Sequence, residues 1–359
     1  MTGADDATRP DAPGDDATHH GAPGEDATRP AASGDDPTRR AAPGGDAGGI
    51  DVLTLGETMA AFRSAGPLRL GGTAGVSIAG AESTVAIGLA RLGHRAGWVG
   101  VTGADEPGAL VRRTLRAEAV DLRWARVSAD APTGLILFEP RVADLNRVTY
   151  YRAGSAGSRL APADVARAFD AVTPRVLHVT GITCALGPGP YAAVRAAVER
   201  AHAAGATVCL DVNHRSRLWS VAEAAEALRP LLPAVDVVVA SADELPVLTD
   251  ADDPAAALRA GGVREVVVKL GGDGATSHHE GGTLHRPARR VPVVETIGAG
   301  DAFVAGWLSA LLDGADVAGR LDRGVTTAAF AVATRGDWEG LPDRTELTLL
   351  DHEPGTALR

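Results

Sequence analysis

One lysine, Lys269, and two cysteines, Cys184 and Cys209, are all the chain has of either residue in 359 positions. Leu270 follows that lysine, which excludes a phosphate loop ending in Gly-Lys-Ser/Thr. No Gly-x-Gly-x-x-Gly follows a strand-like run, which argues against a dinucleotide fold. Neither cysteine has metal-ligand spacing, so a reduced cytosolic protein with two buried thiols is expected. No apolar run approaches the roughly 18 residues of a membrane span, and the N-terminus lacks the basic-then-apolar order of a signal peptide. A cytoplasmic protein without a membrane partner is therefore expected. The net charge is −11 with no evident basic face, which disfavours nucleic acid as a partner.

Residues 1–49 lack valine, isoleucine, leucine and every aromatic. They repeat with a period of ten, as DDATRPDAPG, DDATHHGAPG, EDATRPAASG and DDPTRRAAPG. Such a segment cannot offset its ordering entropy by burial, so a disordered acidic Gly/Pro-rich tail is expected. It holds ten acidic and four basic residues, more than half of the net charge of −11. A partner-binding arm and translated sequence upstream of the true start are both open, and no catalytic role is expected. A folded domain should occupy 50–350, with a short C-terminal tail at 351–359.

From Asp51 onward, apolar runs alternate with Ala/Leu/Arg-rich runs. The pattern predicts buried strands at 52–55, 96–101, 176–180, 207–212, 235–240 and 266–270. Helices are predicted at 83–92, 108–119, 190–204, 221–231 and 254–260. Near-continuous apolar strands between helices imply an α/β fold of three layers around a mainly parallel sheet. Ligands in such folds bind beyond the strand C-termini. Segments of about 60–75 and 133–152 break the alternation and read as a small β-sheet lid over the site.

Gly298-Ala299-Gly300-Asp301 precedes the apolar helical run 302–312. Two glycines let N–H groups turn toward one point, and the start of a helix leaves its first N–H groups unpaired. The combination cradles a phosphate, and Asp301 in the first turn is placed to take a proton from an attacking hydroxyl. Phosphoryl transfer to an alcohol follows, although four common residues can equally make an ordinary capping turn. Other chemistry-bearing segments cluster at predicted strand ends: Asn213 and Arg215, Ser241 and Glu244, and Lys269 with Gly271, Gly272 and Gly274.

Five segments carry a resemblance: GAESTVAIGLARLG at 80–93, YYRAGSAGS at 150–158, HVTGITCAL at 178–186, DVNHRSRLW at 211–219 and ETIGAGDAFVAG at 295–306. In this order the chain resembles the ribokinase-like (PfkB) sugar kinases, and within them the 2-keto-3-deoxygluconate kinases. The resemblance implies ATP and Mg2+ as cofactors and a sugar or sugar acid as acceptor. It makes Asp301 the base and the N–H groups of Ala299, Gly300 and Asp301 the anion hole opened by Gly298. Gly80, Ala81, Glu82, Thr84, Tyr150, Arg152 and Arg215 would bind substrate, two arginines suiting a carboxylate. Asn213, Arg215, Ser241, Lys269, the three loop glycines and Thr326 would meet the nucleotide, together with Gly298 and Gly300. Glu244 would reach magnesium through water.

Four residues depart from the family pattern: Ala79 for glycine, Thr84 for asparagine, Ile136 for a lid tyrosine and Glu295 for aspartate. None touches Asp301, so catalysis is expected intact while the acceptor is less defined. A terminal-hydroxyl kinase for 2-keto-3-deoxygluconate is expected. Its alternatives are a kinase for fructose, ribose or a nucleoside, and a non-catalytic sugar-acid-binding regulator. Lid-mediated dimers among the relatives imply a homo-oligomer.

Overall fold

Short runs dominated by valine and leucine make the strands, because branched side chains suit a pleated surface covered on both faces. A computed structural model describes residues 49–142 and 145–352. The expectations for the repeat tail and for most of the C-terminal tail fall outside the described residues.

The main sheet has eight strands. Six are parallel, in the order Glu265–Lys269, Val237–Ser241, Thr207–Asp211, Val176–Thr180, Val52–Leu55, Ala96–Val99. An antiparallel hairpin, Ala275–His279 and Gly282–Arg286, extends the first of them. Alternation along each strand feeds two cores. Leu53, Leu177 and Leu210 pack with Val165, Val194 and Leu228 on one face. Val52, Val176 and Cys209 pack with Val85, Val111 and Trp307 on the other. That is the expected three-layer arrangement.

A second sheet of four strands runs Ala74–Ala79, Met59–Ser64, Leu135–Val142, Leu145–Tyr151. Two antiparallel pairs are joined by a parallel one. Met59, Ala61, Ile136 and Phe138 form its own small core on the inward face.

Among the boundaries that differ from the sequence expectation, three have a clear physical reason. The strand expected over 96–101 stops at Val99, and Val101–Gly103 joins Arg126–Ser128 in a separate two-stranded sheet. Gly100 makes the break: a Cβ there would lie 2.0 Å from the buried Trp98 ring. The helix expected from 83 begins at Ala81, because Gly80 is its extended N-cap, and this brings Glu82 into the first turn. The helix expected over 221–231 gives way after Leu228 to a 3-10 turn, Arg229–Ala234, that contains Pro233. The helices Pro162–Phe169 and Val317–Val332 and the 275–286 hairpin have no counterpart among the expected elements.

Candidate active site

The C-terminal ends of five parallel strands, the start of the helix Ala299–Leu312 and the inward face of the small sheet enclose a cleft of ≈ 1050 Å3. Gly298 opens that helix at φ +76°, a left-handed conformation natural to glycine. A Cβ on Gly298 would also lie 2.3 Å from the carbonyl oxygen of Asp337. The turn is therefore pressed against a shelf formed by residues 336–337. Behind it, the N–H groups of Val294 and Glu295 donate to Val332 O at 2.7 and 3.2 Å.

Of the three expected anion-hole donors, Ala299 N–H points back to Thr296 O at 3.4 Å. Gly300 and Asp301 N–H have no carbonyl partner among the described residues, whereas Ala302 N–H already closes the first helical bond to Gly298 O. Two open donors at a helix start, rather than three, face the cleft.

Asp301 lines the cleft, and Asn213 Nδ2 donates to its Oδ1 at 3.2 Å. Burial, reinforced by the Asp211 carboxylate, pushes the Asp301 carboxyl up to about 6, with Arg215 and Lys269 pulling the other way. A carboxylate tuned upward toward neutrality suits a general base. Asn213 is buried and holds a left-handed φ of +40°, a strained position typical of a functional turn.

Lys269 Nζ donates to both oxygens of Asp211, at 2.9 and 2.8 Å. Burial disfavours its charge, but Asp211 and Glu244 outweigh burial and hold the ammonium above its ordinary value. The same Nζ lies 3.5 Å from where a Cβ on Gly300 would be, so a fixed positive charge adjoins the open N–H groups. Glu244 accepts the His214 N–H at 2.7 Å and the Ser241 N–H at 2.8 Å. It thereby clamps the ends of two strands together, and Ser241 lines the cleft beside it.

On the acceptor side, Gly80, Ala81, Glu82, Tyr150, Arg152 and Arg215 all line the cleft. Glu82 is buried and accepts from Thr180 Oγ1 at 2.6 Å and from Thr183, and its carboxyl is raised chiefly by burial. Arg152 is not free: its Nε and Nη2 lie 2.7 and 2.6 Å from Glu57 Oε2, and Ser155 donates to the other oxygen. Arg152 Nη1 takes part in no hydrogen bond among the described residues. Tyr150 lies beside Arg152, whose guanidinium is 5.7 Å from the ring centre. Arg215 is exposed, with one long bond to His214 O at 3.4 Å. Two positions later, Arg217 ties this loop to Val148 O of the small sheet at 2.6 Å.

Other expected residues sit elsewhere. Thr84 is buried in its helix and outside the cleft lining. Thr326 returns its hydroxyl to Asp322 O at 2.7 Å, an ordinary mid-helix bond, and is not in the lining. Gly271, Gly272 and Gly274 also lie outside it. Gly274, at φ +98°, serves the hairpin instead: a Cβ there would sit 2.0 Å from Arg286 O. Ile136 lines the cleft as an apolar group.

Sequence reasoning missed Glu57, Asp337 and the pairing role of Asp211. Glu57 lies just past the strand Val52–Leu55, so the rule that ligands meet strand C-termini would have found it. Asp337 carries no such signal, because only tertiary packing brings it against Gly298.

Residues 50–344 match the model of the pfkB family of carbohydrate kinases. The chain belongs to that family. Like its other members it is a phosphotransferase with a hydroxyl acceptor, and the family takes its phosphoryl group from ATP. This family member is 36% identical over 307 residues to the 2-dehydro-3-deoxygluconokinase of Thermoproteus tenax, spanning 83% of this chain and 93% of the relative. It is 36% identical over 308 residues to the enzyme of the same name from Bacillus subtilis, with 83% and 94% covered. Among solved structures, a PfkB protein from Polaromonas sp. JS666 is 35% identical with TM-score 0.74, covering 83% of this chain and 99% of that one. A putative ribokinase II from E. coli in complex with ATP and Mg2+ is 25% identical with TM-score 0.78, covering 84% and 99%. No helix of the described residues is long and apolar enough to cross a membrane.

Proposed function

We propose that the chain phosphorylates 2-keto-3-deoxygluconate at its terminal hydroxyl, using ATP with Mg2+. One observation carries this reading: Asp301, raised toward neutrality, stands beside two open N–H groups at the start of a helix. The acceptor oxygen attacks the γ-phosphorus in line, and Asp301 takes its proton. As the new P–O bond forms, the bond to the bridging β,γ-oxygen breaks and ADP leaves. Gly300 N–H, Asp301 N–H and the Lys269 ammonium meet the charge on the transferring group.

When bound, Mg2+ would neutralise charge on the nucleotide phosphates. No trio of acidic, histidine or cysteine groups among the described residues forms a metal cage. That donor set fits an ion held mostly by phosphate oxygens and water. Glu244 has spare lone pairs for such a water after its two backbone bonds, and the E. coli neighbour was solved with ATP and Mg2+.

The acceptor assignment is supported by the names of the two bacterial and archaeal relatives and by Arg152 with its uncommitted Nη1. A guanidinium with one edge neutralised by Glu57 and one edge open suits a single carboxylate oxygen. The same neutralisation favours a second reading, a neutral sugar such as fructose. An ADP-release assay across sugar acids and neutral sugars separates them. Arg152→Gln, made together with Glu57→Gln so that no buried carboxylate is stranded, is expected to lower kcat/KM for sugar acids about 10–100-fold relative to Glu57→Gln alone, the worth of a charged hydrogen bond, and to spare neutral sugars. Equal losses in both classes would remove the sugar-acid assignment.

The raised carboxyl also fixes a pH profile. Only ionised Asp301 accepts the proton, so kcat/KM is expected to climb with pH through about 6 and level above it. A limb near the ordinary carboxylate range, around pH 4, would show that another group titrates.

Self-association through the small sheet belongs to the same reading. Val76 and Tyr151 stand on its outward face, 56% and 61% exposed.

A further inference from the structure

Arg63 is outside the cleft lining, yet it touches what shapes the anion-hole turn. It lies on the strand Met59–Ser64, on the inward face with Met59 and Ala61. Its Nη1 donates to both oxygens of Glu295, at 2.9 and 3.0 Å, and its Nη2 donates to Asp337. The three side chains are 14%, 7% and 12% exposed, and the Phe138 ring covers the guanidinium at 3.9 Å. Glu295 leads into the turn, and its Oε2 also accepts the Gly336 N–H at 2.9 Å. Asp337 is the residue whose carbonyl backs Gly298. Asn146, from the last strand of the small sheet, reaches Glu295 at 3.4 Å.

We propose that Arg63 is a positioning residue that locks the Gly298–Asp301 turn to the small sheet, so that the anion hole and its cover are held as one piece. The inference rests on the reading of that turn as the anion hole. It does not depend on which acceptor is used.

A planar guanidinium can hold two carboxylates on different edges, which a lysine cannot reproduce. Without it, Glu295 and Asp337 face each other with no cation between them. Burial already pushes the Asp337 carboxyl up to about 7 against the pull of Arg63. With no shared cation to tie them, the shelf and the turn can part, and a displacement of about 1 Å costs about 10²-fold in rate. Asp301 is faced by Asp211, Glu82, Asp337, Arg215 and Lys269; of these only Asp337 touches Arg63, and its carboxyl is already raised to about 7, so near pH 6 the charge left uncompensated is that of Glu295. Loss of the Arg63 charge therefore leaves a more negative surround and moves the Asp301 limb to higher pH.

The test compares Arg63→Met and Arg63→Lys with the wild-type chain, using whichever acceptor the wild type turns over. Arg63→Met is expected to lose about 10²-fold in kcat with KM for ATP changed less than about threefold, and to shift its acid limb upward. Arg63→Lys should recover part of the rate. If Arg63→Met does not fold, Arg63→Met/Asp337→Asn removes one stranded carboxylate, and it is expected to fold yet remain slow. A wild-type kcat in Arg63→Met, a slow variant with an unmoved limb, or full recovery in the double variant would each overturn the proposal. Wild-type turnover of neutral sugars alone would instead sink the sugar-acid assignment and leave this test standing.

Discussion

Asp301→Asn is expected to lose about 10²–10⁴-fold in kcat, since it removes the base and keeps the shape. The same change should make the folded chain more stable at neutral pH. The carboxyl is raised from 3.8 unfolded to about 6 folded, so the unfolded state releases its proton first as pH rises. The fold is penalised progressively between about pH 4 and pH 6, and fully above that. An amide has nothing to ionise, and Asn213 can still donate to it. A rise of that size is worth a few kcal/mol at most, so a gain of about 1–3 kcal/mol above pH 6 is expected, vanishing toward pH 4. Urea unfolding of both proteins across this range checks the sign, while ADP release checks the rate. Undiminished turnover in the variant would end the assignment of Asp301 as base. Equal stability at pH 8 would mean that the carboxylate is not held in a desolvated site.

Lys269→Met carries the second large effect, and here stability and catalysis fall together. Asp211 keeps 1% of its side chain exposed, and Lys269 is its ion-pair partner at 2.8 Å. Removing one partner of a buried pair strands the other charge, at about 3–5 kcal/mol. Asp211→Asn in the same chain should recover most of that loss, since no charge is then left alone. The rate should stay low in both, because the ammonium beside Gly300 is gone. Urea midpoints give the stability cycle, and ADP release gives the rate. A loss below about 1 kcal/mol in the single variant would class the pair with solvated surface bridges.

Much of the fold was legible because strand and helix periods differ and the apolar runs are clean. Runs such as 176–180 and 207–211 sit in the sheet where their composition put them. The break at Gly100 was not legible, since it follows from the bulk of Trp98 folding over its own strand. The helix Val317–Val332 was missed as an element, with its small and polar residues blurring the apolar stripe. At the site, glycine and acid chemistry pointed to the turn at 298–301. The pairing of Arg152 with Glu57 was not legible, because the two are 95 residues apart in sequence.

What residue order alone determined is local: which runs pair as strands, where glycine permits a left-handed turn, and which helix presents unpaired N–H groups to Asp301. Those follow from neighbours a few positions apart. Tertiary structure decided everything that depends on charge in a shared space. It paired Lys269 with Asp211, occupied one edge of Arg152, pressed Asp337 against Gly298 and set Arg63 beneath the turn. Each of these joins segments tens to hundreds of residues apart, and the strength of a charge depends on its burial, which no local pattern encodes.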